Sequence, residues 1–257
     1  MDLEANGETL HYVKEGGGPA ILFTHGIGSD AHVWHREVAA LKDRYTCIAF
    51  DMRGFGFSSF NGRWTAEAAA EDLHAGLAAL GVERAHLVGF AAGGPVTLTF
   101  NAKYPKVARS LVLIDSFARN HSHSQPRIHE SEKCFRYMSM REYARQYAAT
   151  RLLPATLQAE FDDLVAAACL SRKEAYMDVL RGVLLPDFRP LCAHVRVPTL
   201  VVCGAHDRTT PPNLTTELTQ LIDGAVETLL PTGHFPNYDN PALFTRTLAG
   251  FLDAQPR

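Results

Sequence analysis

Residues 85–105 read AHLVGFAAGGPVTLTFNAKYP. The run AHLVGF (85–90) is apolar without polar alternation, which marks a strand covered on both faces. GGPVTLTFNAKYP, directly after it, has a helical pattern, so residues 89–94 form a strand-to-helix turn built from small residues. Working outward, the same apolar signature recurs in AILFTHG (20–26), YTCIAFD (45–51), ARSLVLIDS (108–116), TLVVCGA (199–205) and VETLLP (226–231). Helical patterns lie between these runs. TAEAAAEDLHAGLAALGV opens on Thr65 as N-cap, aligns Ala69, Leu73, Leu77 and Leu80 on one face, and stops at Gly81. PNLTTELTQLID and NPALFTRTLAGFLDA are two more. Strand–helix alternation implies right-handed crossovers, so the expected class is α/β with a doubly wound, mostly parallel sheet. ETLHYVKEGGG is expected to be an antiparallel edge strand. Residues 117–189 contain no strand-like run, only polar loop and helical stretches such as SMREYARQYAATRLL. They are expected to form a helical cap inserted into a core made of residues 1–116 and 190–257.

Composition narrows the function classes. The 257 residues are 46% apolar and 21% charged, with a net charge of -3. That length fits one domain carrying a large insertion and needs no disulfide or metal staple. The near-neutral charge gives no footprint for nucleic acid or an anionic membrane. The five Cys are widely spaced, without a C-x-x-C pair, and Cys47 and Cys203 sit inside apolar runs as small core residues. MDLEANGETL has no apolar signal-peptide core, and no run reaches the roughly 18 apolar residues of a spanning helix. A cytoplasmic protein is expected, as a monomer or homodimer.

In a doubly wound sheet, ligands bind at the carboxyl ends of the strands. His25-Gly26-Ile27-Gly28 follows the first run, and Asp51-Met52-Arg53-Gly54-Phe55-Gly56-Phe57-Ser58-Ser59 follows the second. Gly89-Phe90-Ala91-Ala92-Gly93-Gly94, His206-Asp207 and Thr232-Gly233-His234-Phe235-Pro236 end later runs. This ordered set resembles the α/β-hydrolase superfamily along essentially the whole chain. The nearest branch is the small capped one holding lactonases, carboxylesterases and C–C bond hydrolases. HGIGSDAHVW, the DxRGxGxSS run and RVPTLVVCGAHD are most similar to enol-lactone hydrolases.

The resemblance implies a G-x-S-x-G nucleophile elbow, a strained turn that lifts a hydroxyl above the sheet. Here the elbow reads Gly89-Phe90-Ala91-Ala92-Gly93, so position 91 offers only a methyl group and no acyl-enzyme can form there. Gly89 and Gly93 are expected to hold the strained turn regardless. We read Ala91 as the replacement of a natural serine, giving an inactive form; a natural, non-catalytic ligand-binding protein and a chance match are the alternatives. The remaining partners implied are His234 as general base and Asp207 as the acid that orients it. Asp115, which also ends a strand, is a rival acid. The oxyanion hole is expected from the backbone N–H groups of Ile27 and Ala92. His25 is expected to tie its loop together, and Asp51 and Arg53 to brace the elbow. The G-F-G-F-S-S stretch fits neither a dinucleotide fingerprint nor a P-loop, so no cofactor is expected.

The expected reaction is hydrolysis of a small ester or lactone through an acyl-enzyme, with cleavage of a C–C bond in a ring-cleavage product as the alternative. Gly26, Phe90, Trp34, Tyr137 and Phe235 are candidates for an apolar or aromatic substrate pocket, with Phe135 and Met138 behind them; core packing explains Trp34 and Phe135 equally well. A carboxylate on the substrate would require a cap arginine such as Arg119, Arg127 or Arg136. Twelve His raise a metal question. His121, His123 and His129 lack the carboxylate and further His of a di-metal lactonase, and His32 and His35 lack a carboxylate nearby in sequence. No metal is expected at either.

Overall fold

Each of the six apolar runs forms a strand. The computed structural model describes residues 1–120 and 124–256. In chain order it contains β1 (Asp2–Ala5), β2 (Glu8–Gly16), β3 (Ala20–Thr24), a 3-10 turn at Ala31–Trp34, α1 (His35–Leu41) and β4 (Thr46–Phe50). There follow α2 (Ala66–Ala79), β5 (Ala85–Phe90), α3 (Gly93–Lys103) and β6 (Ala108–Ile114). Four helices come next: α4 (Ser124–Tyr137), α5 (Met140–Arg151), α6 (Gln158–Cys169) and α7 (Lys173–Leu184). After the short α8 (Arg189–Cys192), alternation resumes with β7 (Thr199–Gly204), α9 (Pro212–Leu221) and β8 (Val226–Leu230). The short α10 (Pro236–Asp239) and α11 (Pro241–Asp253) end the chain.

The strands make one eight-stranded sheet in the order β1-β2-β4-β3-β5-β6-β7-β8. β2 is antiparallel to β1 and β4, and every other pair is parallel. Every residue of β3, β5 and β7 is buried, as strands with helices on both faces require. β8 differs. Val226 and Leu229 are exposed because this strand forms the open edge and has solvent beside it. At the other edge the expectation for ETLHYVKEGGG needs correction. β1 pairs outside β2 through a turn at Asn6-Gly7, with φ of 50° and 78°, the left-handed pair that Asn-Gly supplies.

Thr65 caps α2 by accepting from the Ala68 N–H, and Gly81 leaves the helix at φ 70°. Ser139 and Glu142 form a reciprocal capping box on α5. Cys47, Cys134, Cys192 and Cys203 are buried free thiols, and burial pushes Cys47, Cys192 and Cys203 up to about 12. Among the described residues, no helix is long and apolar enough to cross a membrane.

Candidate active site

β5 enters α3 through a turn centred on Ala91, whose φ is 48°. An L-residue adopts this left-handed conformation only when its surroundings impose it. Three contacts do so: the Ala91 N–H donates to Ile114 O at 2.9 Å, and its carbonyl accepts from Gly94 N at 3.0 Å and Ser116 Oγ at 2.9 Å. The glycines make the turn sterically possible. A Cβ on Gly89 would lie 2.4 Å from Thr97 Oγ1, and one on Gly93 would lie 2.4 Å from the Thr24 carbonyl oxygen. The turn therefore holds its geometry without a hydroxyl at position 91.

Opposite the elbow stands a buried imidazole–carboxylate pair. His234 Nδ1 lies 2.7 Å from Asp207 Oδ2, and both side chains are shielded from solvent. Asp207 sits just after β7, where its Oδ1 accepts the Thr209 N–H at 2.6 Å and the Thr210 N–H at 3.1 Å, while Thr210 Oγ1 donates to Oδ2 at 2.6 Å. Burial raises the Asp207 pKa, but His234 and these hydrogen bonds outweigh it and hold the carboxyl below its ordinary value. Its neighbour Asp115 takes the opposite state. Burial, then the charge of Asp207, holds the Asp115 carboxyl well above the usual range. Asp115 Oδ1 accepts the Gly204 N–H at 2.6 Å, so this second acid braces the end of β7 in neutral form and does not touch His234. With Nδ1 engaged, His234 presents Nε2 as its free nitrogen, and its ring lies 5.1 Å from that of Phe90, beside Ala91.

The loop after β3 faces the elbow. A Cβ on Gly26 would stand 3.1 Å from the Ala91 Cβ, so only glycine allows this approach. His25 is fully buried, with Nδ1 2.7 Å from Gly26 O and Nε2 accepting the Met52 N–H at 2.9 Å. Burial lowers its pKa, in keeping with a neutral ring that ties two loops together. Asp51 accepts from Ala31 N and Phe57 N, and Arg53 grips Asp72 of α2 with two nitrogens. The Ala92 N–H opens α3, where no side chain caps the helix and no carbonyl stands one turn back to receive it. Ile27 is positioned from the other side by Tyr147 of α5, whose hydroxyl donates to the Ile27 carbonyl and whose ring packs over Gly28.

The expected pocket aromatics are placed differently. Phe90 and Phe235 are almost fully buried and pack together at 4.8 Å, and Trp34 is buried against Phe23 at 5.0 Å. Tyr137 lies at the end of α4, 76% exposed, away from the elbow. Helix phase turned it outward. Arg119 lies 3.9 Å from Asp187, Arg136 is exposed, and Phe135 packs against Tyr143 and Tyr176. The open space has a mixed lining, with arginines beside apolar side chains. A cavity of 1060 Å³ lies between the inserted helices and the loops after β7 and β8, walled in part by Arg127, Thr150, Arg151, His206, Thr209 and Gly233. An adjoining recess of 160 Å³ shares Arg127 and Arg151 and adds Tyr143, Tyr147 and Tyr176.

Both arginines lack an ion-pair partner among the described residues. Arg127 donates to Thr209 O at 3.3 Å; Arg151 donates to Tyr147 O and Thr150 Oγ1, stacks 3.9 Å over the Tyr147 ring, and leaves Nε unpaired. Burial, then the charge of Arg151, pushes the Arg127 pKa below its ordinary value. The Arg151 carbonyl also accepts the His234 N–H at 3.2 Å, which joins the end of α5 to the histidine loop. Tyr147, Arg151 and Thr210 were missed from sequence. Thr210 had a local signal, Asp207-Arg-Thr-Thr, a spacing that lets an aspartate accept from the turn after it. Tyr147 and Arg151 had none, since a helix pattern does not say which neighbour its face meets.

His121 and His123 lie outside the described residues, and His129 is exposed on α4. His32 and His35 stand together with Asp163 of α6, a carboxylate that sequence proximity did not supply.

A family profile described as alpha/beta hydrolase fold matches residues 19–144. The chain is 28% identical to the pyrrolizixenacetamide deacetylase of Xenorhabdus hominickii over 251 residues, 95% of this chain and 94% of that one. It is 25% identical to 3-oxoadipate enol-lactonase 1 of Acinetobacter baylyi over 266 residues, 98% of this chain and 96% of that one. The crystal structure of the enol-lactonase from Burkholderia xenovorans superposes with a TM-score of 0.90 at 26% identity, covering 98% of this chain and all of that one (100%).

Proposed function

Because the chain belongs to the α/β-hydrolase superfamily, we propose that it is a serine-type hydrolase scaffold for a small ester or lactone, with Ala91 standing where the nucleophile acts. The observation that carries this reading is the buried His234–Asp207 pair, at 2.7 Å, beside an elbow strained at φ 48°. The relatives named as a deacetylase and an enol-lactonase support acyl chemistry. In the serine form, the position-91 hydroxyl attacks the acyl carbon while His234 Nε2 takes its proton. Asp207 holds the imidazolium, and the N–H groups of Ile27 and Ala92 receive the oxyanion. The proton returns to the leaving oxygen, and water activated by His234 then releases the acid. As the chain stands, substrate binds without forming an acyl-enzyme; Ala91 is read as the substitution of a serine that gives an inactive form.

Arg127 and Arg151, which have no ion-pair partner among the described residues, favour a substrate that also carries a carboxylate. Ala91→Ser is expected to raise hydrolysis of p-nitrophenyl esters or simple lactones roughly 10⁴-fold. Failure to turn over any acyl substrate, with the fold intact by circular dichroism, rejects the hydrolase reading. In that restored protein, Arg127→Gln is expected to raise KM for a carboxylate-bearing ester about tenfold or more and to leave a neutral ester unchanged. Equal effects on both esters would remove the anion subsite while leaving the acyl mechanism standing.

A further inference from the structure

His32 lies in the 3-10 turn Ala31–Trp34 and His35 opens α1, and α6 brings Asp163 up against them. One nitrogen from each imidazole and one oxygen of Asp163 all lie within 4.8 Å of one another. His32 Nε2 is 3.3 Å from Asp163 Oδ1, and the two rings stack in parallel, 4.6 Å apart at 8°. Donor atoms around a tetrahedral metal ion stand about 3.3 Å apart, as bond lengths near 2.0–2.1 Å require. An ion must lie near the plane of each ring that ligates it, so closing the set onto one ion requires one imidazole to rotate out of the stack.

We propose that His32, His35 and Asp163 form a binding site for a zinc-like divalent cation that ties inserted helix α6 to the start of α1. Two imidazoles and one carboxylate are a donor set suited to zinc, and three protein ligands leave one position for water. The surrounding hydrogen bonds orient the ligands as a metal site requires. His35 Nδ1 is 3.0 Å from the His32 carbonyl, which accepts its proton and leaves Nε2 with a free lone pair. The Tyr238 hydroxyl donates to Asp163 Oδ2 at 2.7 Å, which leaves Oδ1 for the ion. Two of the three ligands, His32 and Asp163, line a 400 Å³ cavity together with Asp30 and Asp51, two further acids that favour a cation nearby. One turn away, Glu160 already has its own partner in Arg36, which ties α6 to α1 independently of Asp163.

This site is independent of the hydrolase reading, and its test reads metal directly. Titration of the full chain with zinc chloride in a calorimeter is expected to give one saturable equivalent, and zinc is expected to raise the Tm. Cobalt(II) is expected to give the intense visible bands of a four-coordinate ion. Asp163→Asn and His35→Gln should each weaken binding more than tenfold and abolish the Tm increase, and Tyr238→Phe should weaken it about tenfold. His129→Gln, on an exposed helix face, should change nothing. If Asp163→Asn does not fold, His32→Gln decides, because that side chain is 60% exposed. Absence of saturable binding, or a zinc equivalent that His32→Gln, His35→Gln and Asp163→Asn leave unchanged, overturns the proposal and leaves the cluster a simple ion pair.

Discussion

At position 91 an alanine sits in a left-handed backbone conformation at the turn from β5 into α3. The left-handed conformation costs roughly 1–2 kcal/mol for an alanine, and the hydrogen bonds to Ile114, Gly94 and Ser116 hold it in place. Glu37 shows another residue kept in an unfavourable setting. It is fully buried, with Oε1 accepting from Thr245 Oγ1 at 3.0 Å and Oε2 unpaired. Burial pushes its pKa up to about 8. In the unfolded chain a glutamate titrates near ~4.3. Between those values the folded state keeps a proton that the unfolded state has lost, so stability falls as pH rises through that window. Glu37→Gln has no proton to lose there. Relative to it, the parent chain is expected to lose roughly 2–4 kcal/mol between pH 5 and pH 8, measured by urea unfolding at each pH. Parallel stability curves would mean that Glu37 is already ionised in the fold.

Among the elements, α5 packs against α6 and α4 and reaches two of the loops at the strand ends. Its Tyr147 holds the Ile27 carbonyl, its last residue accepts the His234 N–H, and the turn after it meets Asp239, which accepts from Leu153 N and Gly233 N. One helix thus contacts both the loop after β3 and the loop that carries His234. In the Ala91→Ser protein, Tyr147→Phe is expected to lower kcat about tenfold with KM nearly unchanged, at a stability loss of about 1 kcal/mol. Kinetics paired with urea unfolding separates the two effects, and unchanged kcat would remove Tyr147 from a positioning role. The elements themselves were readable from sequence wherever local chemistry settles them. Unbroken apolar runs gave β3, β5 and β7, and Thr65 and Gly81 marked the ends of α2. The β1–β2 hairpin escaped because β1 is only four residues long, although Asn6-Gly7 carried its turn signal.

For the whole molecule, the sequence by itself determined the strand–helix alternation, the order of glycine-rich turns at strand ends, the placement of Asp207 and His234 after β7 and β8, and the alanine at position 91. Each of these depends on residue type, period 2 or 3.6, and neighbours within a turn or two. Tertiary structure alone decided which side chains meet across long separations. It sent Tyr137 to solvent, sealed Trp34, Phe90 and Phe235 into the core, and set Arg127 and Arg151 on the wall of a cavity with no ion-pair partner among the described residues. It also brought Asp163 to a histidine pair more than a hundred residues earlier in the chain. The physical reason is that a helical period fixes which residues share a face, whereas the direction of that face follows from how α4–α7 pack on one another, on α2 and on the turn before α1.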